Sequence, residues 1–186
     1  MTDKVVPSIR PYLDILAGAA GEVAKTWRPD DPEYHAGIQR QLMMSMSFGY
    51  FIYFHADAEH PDWAPLWNPV YTLQPNPDDI YLYSPLRGDL RYRISGNRGT
   101  IKMITFSVAR GLVGTNDTMV TGIDYNDCDD SDLAIGADGE FELLLSTERP
   151  AGYSGNWLRM APGVGHIMIG YGRYDWIKDR DPQLTI

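Results

Sequence analysis

Between Ala56 and Asp79 the chain places five prolines in the stretch "ADAEHPDWAPLWNPVYTLQPNPDD", and this run separates two kinds of sequence. Proline lacks the amide proton that a helix needs and clashes with the preceding turn, so no helix continues through it. Upstream, apolar residues recur at helical spacing. Leu13, Leu16, Ala17, Ala20, Ala24 and Trp27 follow the i, i+3, i+4 pattern of one helical face. A second helix begins at Asp31-Pro32-Glu33: the aspartate can cap free amides, proline suits the first turn, and glutamate complements the positive helix end. Its stripe runs through Ile38, Leu42, Met46, Gly49, Tyr50 and Tyr53 and stops near His55.

Downstream the pattern becomes two-residue alternation, the signature of strands with one buried face. "DIYLYS" and "DLRYRIS" alternate, the second placing Leu90, Tyr92 and Ile94 on one side and Arg91, Arg93 and Ser95 on the other. "TIKMITFSV" follows a Gly96-Asn97-Arg98-Gly99 turn, and Asp138-Gly139 between two apolar runs reads as a hairpin. "NWLRM" and "HIMIGYGRYDW" complete about seven to nine short strands, a number that favours an antiparallel sandwich or barrel. The predicted fold is therefore α+β, two N-terminal helices packed on a mostly antiparallel, jelly-roll-like β-sandwich. Residues 1–55 are expected to form a helical hairpin, 56–78 an irregular connector and 79–186 the sandwich, together one compact unit.

Composition narrows the function classes. With 186 residues, 44% of them hydrophobic and 12% aromatic, the chain can bury a sizeable single core. A formal net charge of −9 without a Lys/Arg cluster argues against nucleic acid and anionic membranes as partners. Cys128 is the only cysteine, which precludes an internal disulfide and permits a reducing compartment. The amino terminus shows no signal peptide, and the apolar run Met43 to Phe54 is too short and serine-broken to span a bilayer. A cytoplasmic location is expected, and no cofactor is called for.

Three clusters could carry chemistry. In "NPDDIYLYSP", Pro77 biases Asn76 toward extended geometry, Asp78 and Asp79 can bond backbone amides, and Pro85 stops the strand. Local structure explains most of that motif. It leaves Tyr81 and Tyr83 sharing a face with Asp79, opposite Ile80 and Leu82, and such amphipathic rings suit ligand contact as well as packing. His55, Asp57, Glu59 and His60 are ligand types for a transition metal, and in an extended segment the first three share one side, with His166 as a distant fourth donor; their spacing matches no metal motif, and a helix-ending His55 beside loop-solvating acids explains them more simply. Near the end, Trp157, Arg173, Tyr174, Asp175 and Trp176 combine aromatic faces with an arginine, material for a carboxylate-bearing ligand or for an Arg173 to Asp175 pairing that closes the sandwich. Gly170 and Gly172 on one strand face predict a bulge or the close approach of another backbone or a ligand.

Other patterns are excluded. The acidic run Asp124 to Asp132 lacks the glycine and glutamate of a calcium loop. "GYSGN" at Gly152 to Asn156 is not a hydrolase elbow, and no phosphate-cradling or dinucleotide fingerprint occurs.

The segments "HADAEHPDW", "NPDDIYLYSPLRGDLRYRISGNRG", "GEFELLLSTERPAGYSGNWLRMAPG" and "YGRYDWIKDRDPQLTI" resemble bacterial proteins of the domain-of-unknown-function 1214 family, from about His55 to the end. The resemblance implies a mostly antiparallel β-sandwich, often with flanking helices. It supplies no activity, cofactor or catalytic residues. Relatives of this type often continue past the last strand, so the chain is expected to be either a self-sufficient unit or an amino-terminal portion of a longer protein.

The expected function is binding of a small organic ligand, aromatic, polyketide-like or sugar-like. Its site would be built from Asn76, Tyr81, Tyr83, Arg91, Trp157, Arg173, Tyr174 and Asp175 and gated by the connector. The alternatives are an enzyme using Asp78, Asp79 or His166 in acid–base roles, and an assembly module with an aromatic interface, compatible with a homo-oligomer.

Overall fold

The computed structural model describes residues 8–26, 31–66, 76, 78–111, 126–129 and 131–186. Trp27, Pro77, residues 67–75 of the connector and positions 124, 125 and 130 of the acidic run lie outside them. The chain forms two compact units, Met1–Ser47 and Phe48–Ile186.

The first unit contains helix α1 (Arg10–Thr26) and most of helix α2 (Pro32–Tyr53). Asp31 caps α2 as its sequence predicts, its Oδ1 accepting the Glu33 amide at 2.8 Å. Ile38 on α2 is buried. On α1, by contrast, Tyr12, Leu13, Ile15 and Leu16 are exposed, as is Ile9 just before it: the apolar period identifies the helix, but the expected burial of its stripe does not follow at Leu13 and Leu16. No described helix is long and apolar enough to cross a membrane.

Among the described residues the second unit holds nine strands: β1 (Ala64–Pro65), β2 (Asp79–Pro85), β3 (Tyr92–Asn97), β4 (Met103–Arg110), β5 (Asn126–Asp129), β6 (Glu140–Ser146), β7 (Asn156–Arg159), β8 (Val164–Gly172) and β9 (Gln183–Thr185). They form a five-stranded sheet of order β1-β2-β8-β4-β5 and a four-stranded sheet of order β7-β6-β3-β9. All pairs are antiparallel except β6 with β7. With the helices, this is the α+β arrangement expected.

Alternation along the strands builds the core between the two sheets. Ile104, Phe106 and Val108 of β4 and Ile167 and Ile169 of β8 meet Tyr92 and Ile94 of β3 and Phe141, Leu143 and Leu145 of β6. Phe106 and Phe141 touch edge to face, centroids 5.9 Å apart. One predicted strand does not form. Asp138-Gly139 makes its turn, with Gly139 at φ 86°, but the upstream arm is not a strand. Ala134 is instead held by the Asn156 side chain, whose Oδ1 accepts the Ala134 amide at 2.8 Å and whose Nδ2 donates to the Ala134 carbonyl at 3.0 Å. A side-chain amide there takes the hydrogen bonds that a neighbouring strand would otherwise supply.

Strand β8 lies between β2 and β4 and carries an irregularity: the β4 register shifts between Ala109, opposite His166, and Arg110, opposite Val164. The extra residue is Gly165. A Cβ there would lie 2.2 Å from the Gly111 carbonyl oxygen, so only glycine lets the end of β4 come this close.

Candidate functional site

The face of the five-stranded sheet turned away from the main core is set by register. Asp79, Tyr81 and Tyr83 of β2 stand opposite Gly172, Gly170 and Met168 of β8, which in turn face Met103, Thr105 and Ser107 of β4. The two glycines are explained by side chains rather than by a ligand. A Cβ on Gly170 would meet Thr105 Oγ1 at 3.1 Å and Tyr81 Cε1 at 3.2 Å, and one on Gly172 would meet Asp79 Oδ1 at 2.9 Å.

At the start of β2 the structure brings the Asn-Pro-Asp motif to the end of β8. The Arg173 amide donates to the Asp78 carbonyl at 3.0 Å, and Trp176 Nε1 donates to Asp78 Oδ1 at 3.0 Å. Asn76 Nδ2 donates to Asp79 Oδ2 at 2.5 Å, and Asn76 Oδ1 accepts the Asp78 amide at 3.1 Å. Among the described residues the two aspartates thus accept from side chains, not from the backbone amides their position suggests. Arg173 forks onto Asp181, with Nε 2.6 Å from Oδ1 and a second contact from Nη2 to Oδ2, and its guanidinium lies 4.9 Å from the Trp176 ring. The expected Arg173 to Asp175 pairing is absent: Asp175 accepts the Ile177 and Lys178 amides, each at 3.1 Å, and pairs with Lys178 Nζ at 3.2 Å. Tyr174 is exposed at 76% and leads into this turn.

Further along the same face lies a buried pair. Tyr83 is 0% exposed. It packs with Ile52 and Leu66, and with Phe48, Tyr81 and Met168 around them, in a small apolar cluster separate from the main core. Its ring leans on His166, centroids 5.3 Å apart and planes at 30°. The Tyr83 hydroxyl is buried and has no hydrogen-bond partner among the described residues. Trp63 Nε1 and Ser84 Oγ share that condition, but Ser84 alternates with Tyr83 onto the inner face and Trp63 packs against the main core. Burial raises the Tyr83 pKa, and the nearby Tyr53 phenol adds to the shift.

His166 is itself buried, and its Nδ1 lies 2.8 Å from the Gly111 carbonyl oxygen. A carbonyl can only accept, so Nδ1 carries the proton and Nε2 carries the lone pair in the neutral ring. Burial lowers the His166 pKa, and the bond to Gly111 opposes this only in part. The imidazole is neutral at pH 7, with an acceptor at Nε2. Sequence alone identified Tyr83 and His166 separately. It missed Gly111 as the partner that sets the tautomer and Ile52, Leu66 and Met168 as the apolar surround. Gly165 is the one local signal for that geometry.

Other candidates lie elsewhere. Trp157 is on β7 and Arg91 directly precedes β3, both in the four-stranded sheet. Trp157 Nε1 donates to Ser146 Oγ at 2.8 Å, and Arg149 sits 5.9 Å from its ring. With the main core between the sheets, these two residues do not join Tyr83 and His166. The His55 to His60 segment is drawn into separate local pairs. His55 Nε2 lies 3.5 Å from Asp62, Asp57 Oδ1 accepts the Glu59 and His60 amides, and Glu59 pairs with Arg87 at 3.0 Å. Among the described residues no group of three or more His, Cys, Asp or Glu side chains is placed to hold a metal ion.

No family model matches the chain, and no curated protein matches it. Among solved structures, an uncharacterised protein from Burkholderia cenocepacia is similar at 26% identity with a TM-score of 0.78, over 94% of this chain and 48% of that one. This chain therefore spans about half the length of that protein. A protein from Vibrio parahaemolyticus is matched at 14% identity and a TM-score of 0.44, over 62% of this chain and 32% of that one.

Proposed function

We propose that this chain binds a small organic molecule, aromatic, polyketide-like or sugar-like, on the outer face of the five-stranded sheet, centred on Tyr83 and His166. The reading rests on the Tyr83 hydroxyl, fully buried and without a partner. An unsatisfied buried hydroxyl costs about 1–3 kcal/mol, a cost that phenylalanine would avoid while filling the same space. A tyrosine kept there is explained by a group that bonds it when bound. Asn76, Asp78, Asp79, Tyr81, Arg173, Tyr174 and Asp175 form the rim at the start of β2 and the end of β8, where Asp78 and Arg173 are already tied to their neighbours.

The test is native mass spectrometry of freshly purified protein beside its Tyr83→Phe and His166→Gln variants. A retained molecule that is lost from both variants is the expected result. Equal retention by all three proteins would move the site elsewhere.

An enzyme is the second reading, supported by the lone pair that the Gly111 bond leaves on His166 Nε2. In that case turnover of the retained molecule would vanish in His166→Gln while binding persisted. The assembly reading draws on the turn where Tyr174, Trp176 and Ile177 are all exposed, and sedimentation analysis showing a monomer at all concentrations would dismiss it. Membership of the domain-of-unknown-function 1214 family is part of the proposal, supported by the segments quoted above and the likeness to the Burkholderia protein.

A further inference from the structure

We infer that the molecule held at Tyr83 and His166 is uncharged and presents a hydroxyl group, an alcohol or phenol, to this pair. The inference rests on the binding reading above and adds the chemical class. It follows from what the two side chains offer. His166 has spent its one proton on the Gly111 carbonyl, so toward a ligand it offers an acceptor at Nε2. Tyr83 offers an O–H donor and an oxygen lone pair. An alcohol or phenol serves both, because its proton can go to Nε2 while its oxygen accepts from Tyr83.

Charged groups fit poorly. A carboxylate could accept from Tyr83, yet it would meet the lone pair of His166 and lose its hydration among Ile52, Leu66, Phe48 and Met168. Arg173, the cation that the sequence offers for such a ligand, is committed to Asp181. An ammonium would find acceptors but no negative charge in the Tyr83 and His166 pair to balance it. A purely apolar molecule would leave the Tyr83 hydroxyl as unsatisfied as before.

The experiment compares four probes of one shape, benzyl alcohol, benzoate, benzylamine and toluene, by calorimetric titration and by the ring-nitrogen resonances of His166 in 15N-labelled protein. Benzyl alcohol is expected to bind at least tenfold more tightly than the other three and to shift the Nε2 resonance as it accepts a proton bond. Tyr83→Phe should weaken benzyl alcohol about tenfold and leave toluene unchanged. Benzoate, benzylamine or toluene binding at His166 as tightly as the alcohol would overturn the hydroxyl inference while the binding site stood. If none of the four moves a His166 resonance, the site itself is wrong and the inference falls with it.

Discussion

Arg173 is held by Asp181, eight residues further along the chain, through Nε at 2.6 Å and a second contact from the same fork. The pair ties the segment after β8 to the approach of β9, and Arg173 also lies against Trp176, whose indole reaches Asp78. The guanidinium is a structural tie at the edge of the candidate site, not a free anchor for an anion.

Asp181→Ala should therefore destabilise the second unit by about 1–3 kcal/mol, the range for charge-assisted hydrogen bonds of a half-buried pair. Urea unfolding of the wild type and variant measures it. Asp175→Ala, which removes only turn contacts and an exposed pairing with Lys178, should cost less than Asp181→Ala. The reverse order would contradict the pairing described here.

Two tyrosine-to-phenylalanine changes should differ in sign or size. The Tyr92 hydroxyl accepts the Arg87 amide at 2.8 Å and donates to the Ala58 carbonyl at 2.9 Å, so Tyr92→Phe strands two groups and should cost about 1–3 kcal/mol. Tyr83→Phe removes a hydroxyl that has no partner, and stability should stay level or rise. Melting of both variants in ligand-free protein checks the contrast.

Gly165→Ala should act on His166 through the Gly111 carbonyl. The new methyl would displace the Gly111 carbonyl and with it the bond to Nδ1. Overpacking against backbone of this kind costs about 1–3 kcal/mol. The specific readout is the His166 ring in 15N spectra, where a mixture of tautomers is expected in place of one.

Stability should also report the burial of His166. Its folded pKa lies below the ordinary imidazole value of about 6.5, so as pH falls through that value the unfolded chain takes a proton that the folded chain refuses. The contribution is complete above the unfolded pKa and is lost as pH falls toward the folded one. The carboxylates with lowered pKa, Asp57, Asp89, Asp129 and Asp179, act in the same direction only in the more acidic range below about pH 5. Unfolding free energy measured between pH 5 and 7 should slope upward in the wild type, and the slope should flatten in His166→Gln.

Much of the fold was legible because its causes are local. Asp31 caps the helix that its neighbours begin, and alternation in "YRIS" places Tyr92 and Ile94 inward whatever strand lies beside them. The site was legible only in pieces, because its causes are long-range. Asp175 and Asp181 are equally plausible partners for Arg173 in sequence; the turn at Asp175 to Lys178 consumes the nearer one. Trp157 has the composition of a ligand contact, but the parallel pairing of β7 with β6 assigns it to the other sheet, and no pattern within "NWLRM" encodes that choice. Tyr81 and Tyr83 look equivalent on their strand, and only packing by Ile52 and Leu66 separates a half-covered ring from a sealed one.

Three indoles among the described residues give the second unit optical probes. Trp63 has its ring nitrogen sealed beside β1, Trp157 donates to Ser146 on the four-stranded sheet, and Trp176 stands 51% exposed at the edge of the candidate site. Their emission should differ in colour and in quenching by iodide. Single replacements by phenylalanine would then let fluorescence follow each sheet and the Asp78 junction separately.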